Sequence, residues 1–188
     1  MAIRSFVALS IPQSMANALG DCAARMAYQD KSNAVRWVDQ ANYHLTLAFL
    51  GDQSEQDLES LADQLDQHVQ NSEFEMCVQH LSPFPESRPK LIAAMIKRDP
   101  ALLELHQQVI SSIISANLKV EKRRFIPHIT LGRFRHSRNH FAGGIPGTVD
   151  ACGEVTELSI FESTLTPSGA EYDALYRFPF AQYEFDEV

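Results

Sequence analysis

Two tetrapeptides in the chain share one pattern, His44-Leu45-Thr46-Leu47 and His128-Ile129-Thr130-Leu131. The equivalent histidines stand 84 positions apart (44 and 128). Each copy lies in an apolar stretch that reads as a strand, so its histidine and threonine share one face, roughly 7 Å apart, and the residues between and after them point into a core. Imidazole can hold or release a proton near neutrality. Two imidazoles can therefore divide what breaking a phosphodiester needs: removing a proton from the attacking oxygen and giving one to the departing oxygen. The hydroxyls of Thr46 and Thr130 can meet the charge on the non-bridging oxygens. Arg133, on the strand of the second copy, can pair with a phosphate oxygen. With 7 histidines in the chain, chance gives about 0.2 His-x-Thr pairs. Two copies are read as one divided site.

The elements that would carry these residues follow from periodicity. Ile3 to Leu9 reads as a strand and Pro12 to Gln29 as a helix with Ala16, Leu19, Ala23 and Met26 on one side. Val35–Val38 and Leu45–Leu50 read as strands, the second closed by Gly51-Asp52. Ser54 caps a helix to Val69 whose apolar stripe is Leu58, Leu61, Leu65 and Val69. Phe74–Val78 and Lys90–Ile96 read as strands flanking a loop from Pro83 to Pro89, and a third helix begins at Pro100. Ile126–Phe134, Glu154–Phe161 and Tyr172–Phe178 complete the order, with turns at Gly143–Gly147 and Pro167–Gly169. Strand pairs between helices, without strict alternation, predict an α+β protein with largely antiparallel sheets.

Composition narrows the partners. The 188 residues carry 16 basic and 24 acidic side chains, net −8, which argues against coating nucleic acid through broad electrostatics. The positive charge is local: Lys119, Lys122, Arg123, Arg124, Arg133, Arg135 and Arg138 face Glu121 alone within one stretch. The apolar runs are far shorter than the roughly 20 residues that cross a bilayer. The opening segment lacks the apolar centre of a signal peptide, so a cytoplasmic protein is expected. Cys22, Cys77 and Cys152 are odd in number and widely spaced, which predicts buried free thiols rather than a disulfide or thiolate metal site. His68, His80, His106, His136 and His140 make no His-Glu-x-x-His pattern, and no metal is expected. His136 and His140 are expected to face solvent in the basic loop. Gly143, Gly144 and Gly147 lack the Lys-Ser/Thr ending of a P-loop, which excludes an ATP-dependent ligase of that kind.

The sequence resembles the two-histidine phosphoesterase superfamily and, within it, the bacterial and archaeal RNA 2′,3′-cyclic phosphodiesterases, also called 2′-5′ RNA ligases. The resemblance spans most of the chain. It includes Arg4–Leu9 with Pro12, Val35–Val38, Asn42–Gly51, Phe125–Arg133, and Phe161-Glu162-Ser163 with Gly169 and Tyr172. It implies a single bilobal domain over residues 1–188, with pseudo-twofold symmetry, two antiparallel sheets lining a central cleft and helices packed outside. It also implies metal-independent and cofactor-free hydrolysis of 2′,3′-cyclic phosphate ends of RNA or nucleotides to 2′-phosphates, with 2′-5′ ligation as the reverse. His44 would be the general acid and His128 the general base. Thr46, Thr130 and Arg133 would hold the phosphate, while Phe49 would contact a base or, as strand phenylalanines ordinarily do, pack. A monomer without membrane attachment is expected. Ala93 departs from the bulky aromatic that relatives carry there, which changes one wall of the substrate side. Two other readings remain open. One keeps the chemistry on a small nucleotide such as ADP-ribose cyclic phosphate or a 2′-5′ oligoadenylate, and the other is an RNA-end-binding module without turnover.

Overall fold

The computed structural model describes residues 2–70, 72–136, 141–167 and 169–182; Arg138 and His140 of the basic loop, and Ser168 of the last expected turn, lie outside them. The elements run β1 (Ile3–Ser10), α1 (Gln13–Gln29), β2 (Val35–Trp37), a 3₁₀ turn (Gln40–Asn42), β3 (His44–Gln53), α2 (Glu55–His68), β4 (Phe74–Phe84), β5 (Leu91–Ile96), α3 (Pro100–Ser115), β6 (His128–Phe134), β7 (Cys152–Val155), β8 (Glu157–Thr166) and β9 (Gly169–Pro179).

The helices begin where their caps dictate. The Ser54 hydroxyl accepts the Asp57 N–H at 3.1 Å while the Asp57 carboxylate accepts the Ser54 N–H at 3.2 Å, a reciprocal pair that starts α2. Asp99 accepts the Ala101 N–H at 2.8 Å with Pro100 in the first turn of α3. The apolar stripes then bury Met15, Leu19 and Met26 of α1, Leu58, Leu61 and Leu65 of α2, and Leu102, Leu105, Val109 and Ile113 of α3. Full burial of such a side chain stabilises by about 1.5–3 kcal/mol.

Every strand pair between named strands is antiparallel, in the order β7-β4-β5-β6-β3-β1-β8-β9 with β2 added against β6. The fold class is the expected α+β arrangement, and its two halves join into one curled sheet along β6, which meets β3 at a single residue pair, Leu45 with Ile129, and β2 at three more. Helix α1 packs over β6 and β7 whereas α3 packs over β3 and beside α2, so each half lends a helix to the strands of the other. One sheet face, with Val7, Leu9, Leu45, Ile92, Ala94, Ile129 and Leu131, is sealed beneath these helices. The opposite face is left for the cleft.

Four expectations change. Strand β3 does not stop at Gly51-Asp52: Gly51 adopts φ +73°, open to glycine, and still pairs with Ser5. Strand β4 continues through Pro83, which pairs with Ile92, so the loop starts later than its prolines suggest. The strand expected over 154–161 is two, because β7 pairs with β4 and β8 with β1. The expectation of free thiols fails at two positions. Cys77 and Cys152 are register partners in β4 and β7 and form a disulfide with an S–S distance of 2.02 Å, while Cys22 is free and buried. The bridge spans 75 positions of sequence, and antiparallel register alone brings its ends together.

Candidate active site

Register decides which side chains reach the cleft. In β3, Val7 and Ala8 pair with Ala48 and Thr46, so Leu47 is an extra residue, a one-residue bulge. Strict alternation would send Phe49 into the core with Leu45 and Leu47. The bulge returns it to the face of His44 and Thr46, where it pairs with Phe6. The second half repeats the device. Ile92 and Ala93 pair with Gly132 and Thr130, which makes Leu131 the extra residue and brings Arg133 to the face of His128 and Thr130. The sequence repeat is thus also a repeat of a bulge.

The halves meet at Leu45 and Ile129. Extending that antiparallel register by one residue each way sets His44 beside Thr130 and Thr46 beside His128. Four polar side chains from two strands therefore form one group. Both threonines are half-buried, and among the described residues neither hydroxyl bonds to a protein group.

Each histidine is held by the carbonyl two residues before it. His44 Nδ1 lies 2.8 Å from the Asn42 oxygen and His128 Nδ1 lies 2.7 Å from the Ile126 oxygen. A carbonyl only accepts, so both Nδ1 atoms carry hydrogen and donate, and in the neutral rings both Nε2 atoms are left as acceptors. The surroundings differ. His44 sits 5.0 Å from the Phe6 ring and 4.9 Å from Tyr172, which meets it edge-on at 77°. His128 has Phe84 at 4.8 Å. Burial pushes both imidazoles below their ordinary pKa, against the pull of the two carbonyls; Arg133 lowers both further, and His128 adds to the effect on His44. Both rings therefore favour the neutral form more than a free histidine does.

Arg133 is exposed, so its guanidinium is open to a ligand in the cleft. Phe49 is 57% exposed, so it does not pack as strand phenylalanines ordinarily do. Ala93 is buried opposite Thr130, the place that Ala8 holds opposite Thr46, and the small side chain keeps the two halves alike. A cavity of about 420 Å³ opens beside His44 between β1, the start of α1 and the segment Gln40–Tyr43. The other histidines lie elsewhere: His68 Nδ1 donates to the Gln64 oxygen at 2.8 Å, His106 stacks on Phe125 at 3.9 Å, and His136 is exposed. Among the described residues, Glu75, Cys77 and Cys152 come within reach of one ion, but the two sulfurs are bonded to each other.

Sequence reasoning left Arg36 unassigned. It stands opposite Arg133 in the β2–β6 pair, and only that register could have revealed it. Phe6, Phe84 and Tyr172, which shape the histidine surroundings, come from strands remote in sequence from the motifs they serve.

This paired arrangement on a curled antiparallel sheet has known counterparts. The family model described as the 2′-5′ RNA ligase superfamily matches residues 12–146, and the chain belongs to that superfamily. It is 25% identical over 182 residues to the RNA 2′,3′-cyclic phosphodiesterase of Thermotoga maritima, covering 95% of this chain and 96% of that protein. It is also 25% identical over 178 residues to the like-named protein of Methanocaldococcus jannaschii, covering 92% and 98%. The crystal structure of E. coli LigT complexed with 3′-AMP superposes with a TM-score of 0.79 at 24% identity, over 97% of this chain and 100% of that one, a likeness of fold.

Proposed function

We propose that residues 1–188 form one bilobal, monomeric RNA 2′,3′-cyclic phosphodiesterase that converts cyclic ends to 2′-phosphates without a metal or cofactor. The observation that carries this reading is the duplicated anchor: two imidazoles, each fixed through Nδ1 to the carbonyl two residues earlier, meeting across the Leu45–Ile129 junction. A module that only bound phosphate would need no pair of groups able to exchange protons. The names of the curated relatives support the same substrate class.

In the proposed reaction His128 Nε2 takes a proton from water as its oxygen bonds to phosphorus. The bond from phosphorus to O3′ breaks, and His44 Nε2 delivers its proton to O3′, leaving the 2′-phosphate. Thr46, Thr130 and Arg133 hold the non-bridging oxygens. His44 must be protonated for this step. An anionic phosphate beside the imidazoles favours their charged form and counters the effects of burial and of Arg133. With the 5′-hydroxyl of a second strand in place of water, the same proton transfers bond that oxygen to phosphorus and release O3′ as a hydroxyl, so the cyclic end is joined through a 2′-5′ linkage; attack by O3′ in the reverse direction expels the 5′-oxygen and restores the cyclic phosphate.

A small nucleotide as substrate is the second reading, favoured by the cavity beside His44, whose polar lining includes Gln13, Gln40 and Asn42. Incubation in EDTA with each of the four nucleoside 2′,3′-cyclic phosphates, followed by phosphorus NMR, tests the proposal. Nucleoside 2′-phosphates are expected; 3′-phosphates, or turnover that EDTA abolishes and a divalent metal restores, would overturn the stated mechanism.

A further inference from the structure

Arg36 of β2 and Arg133 of β6 are direct cross-strand partners. Residues opposite one another share a sheet face. Which face is fixed by their neighbours: a Cβ added to Gly132 would meet Val35 Cγ1 at 2.5 Å and Trp37 Cε3 at 3.1 Å, and Val35 is buried in the core. Val35, Trp37 and Gly132 therefore belong to the helix-covered side, and Arg36 lies with Arg133 on the cleft side.

Two like charges directly opposite one another cost stability. The same strand avoids that cost two residues later, where Arg135 Nη2 donates to Asn33 Oδ1 at 3.2 Å and lies in the field of Asp30. Arg36 and Arg133 have no such arrangement. Both are exposed, and among the described residues neither has a carboxylate, carbonyl or other bonding partner. Arg133 shares β6 with His128 and Thr130, whereas Arg36 is on the neighbouring strand β2.

We propose that Arg36, beside Arg133, forms a second anionic subsite, which holds the phosphodiester one nucleotide upstream of the reacting end. The proposal rests on the phosphodiesterase reading and adds to it a preference for a nucleic acid strand. Once the cyclic phosphate occupies the threonines and Arg133, the next anion of an RNA chain is the neighbouring phosphodiester, which a mononucleotide lacks. Beyond Thr130, β6 runs toward the end of the cleft where His44 receives the departing O3′. The ribose, and the strand attached through its 5′ oxygen, leave on that side, and β2 is the strand they meet.

The test compares kcat/KM on adenosine 2′,3′-cyclic phosphate with kcat/KM on the adenine dinucleotide ending in the same cyclic phosphate. A second dinucleotide carries a neutral methylphosphonate at the internal linkage. Wild-type protein is expected to favour the charged dinucleotide, and Arg36→Ala to reduce that preference about tenfold, as loss of a charge-assisted contact does. The methylphosphonate should produce the same loss in wild type and no further loss in Arg36→Ala, while Arg36→Lys retains part of the preference. The methylphosphonate arm requires no mutation, so it reads the subsite even if Arg36→Ala folds poorly. Equal losses on mononucleotide and dinucleotide, or a methylphosphonate cleaved as fast as the charged dinucleotide, overturn the subsite alone. Wild-type protein inert on all three substrates overturns the phosphodiesterase reading beneath it.

Discussion

Phe49 and Arg133 occupy equivalent places in the two halves, each three residues beyond its threonine and each turned to the cleft by a one-residue bulge at Leu47 or Leu131. An apolar ring thus stands in one half where a cation stands in the other. The proposed substrate has no twofold symmetry, and on that reading this difference gives a nearly symmetric site its direction. Removing the cation should hurt far more than removing the ring. Arg133→Ala is expected to lower kcat/KM on cyclic phosphates about 100-fold, the loss of one strong or two ordinary charge-assisted hydrogen bonds. Phe49→Ala should act chiefly on KM, by less than about tenfold. Steady-state kinetics on both variants check the order; a larger effect at Phe49 would refute it.

In the proposed mechanism each imidazole carries one proton transfer. His44→Ala and His128→Ala are each expected to reduce kcat by about 10² to 10⁴ while preserving the unfolding transition. The double variant should be little worse than either single one, because the two act as a unit. In wild type the limbs of the kcat/KM profile report the free protein, and they should fall below the ordinary imidazole value of about 6.5. The limbs of kcat belong to the complex and should lie higher, because bound phosphate favours the protonated rings. A profile flat from about pH 5 to 9 would count against both histidines.

The same depressed imidazoles make stability depend on pH. Both pKa values are lowered in the folded state, so between them and about 6.5 the unfolded chain binds more protons than the folded one. The stabilisation is complete above about pH 6.5 and is lost as the pH falls through the folded values. Urea midpoints should therefore drop on acidification through this range, with a shallower slope in a His44→Asn, His128→Asn double variant. Inorganic phosphate, which favours the charged rings, should flatten the slope of the wild type.

Gly132 follows the Leu131 bulge and has no room for a side chain, since a Cβ would come within 2.5 Å of Val35 Cγ1. Gly132→Ala is expected to destabilise by about 1–3 kcal/mol as β2 and β6 separate. It should also reduce activity by shifting Arg133. At Gly147 an added Cβ meets nothing within 4 Å, so Gly147→Ala is the matched control, expected to unfold like wild type. Denaturant titration of the pair decides.

The His-x-Thr repeat could be read from sequence because residue type and spacing are local properties, and so could the three helices, whose stripes at Leu58, Leu61 and Leu65 or Leu102, Leu105 and Val109 repeat every three or four residues. What a single sequence cannot reveal is register. The bulges at Leu47 and Leu131 exist only relative to β1 and β5, and without them alternation would aim Phe49 and Arg133 into the core. The pairing of Arg36 with Arg133 and that of Cys77 with Cys152 are likewise properties of two strands at once. Arg133 stands out in the sequence as a cation beside the second motif, but the register that turns it to the cleft face exists only between β5 and β6.

The Cys77–Cys152 bridge closes a covalent ring. Inside it lie β5, α3 and β6, and with them His128, Thr130 and Arg133; His44 and Thr46 lie on the open chain before it. The two halves that look alike when folded are thus unequal when unfolded. One remains a loop whose closure restricts the denatured chain by about 4 kcal/mol, while the other is free to explore. Reduction of the bridge would erase that inequality and give the half that carries His128, Thr130 and Arg133 the same freedom as its partner.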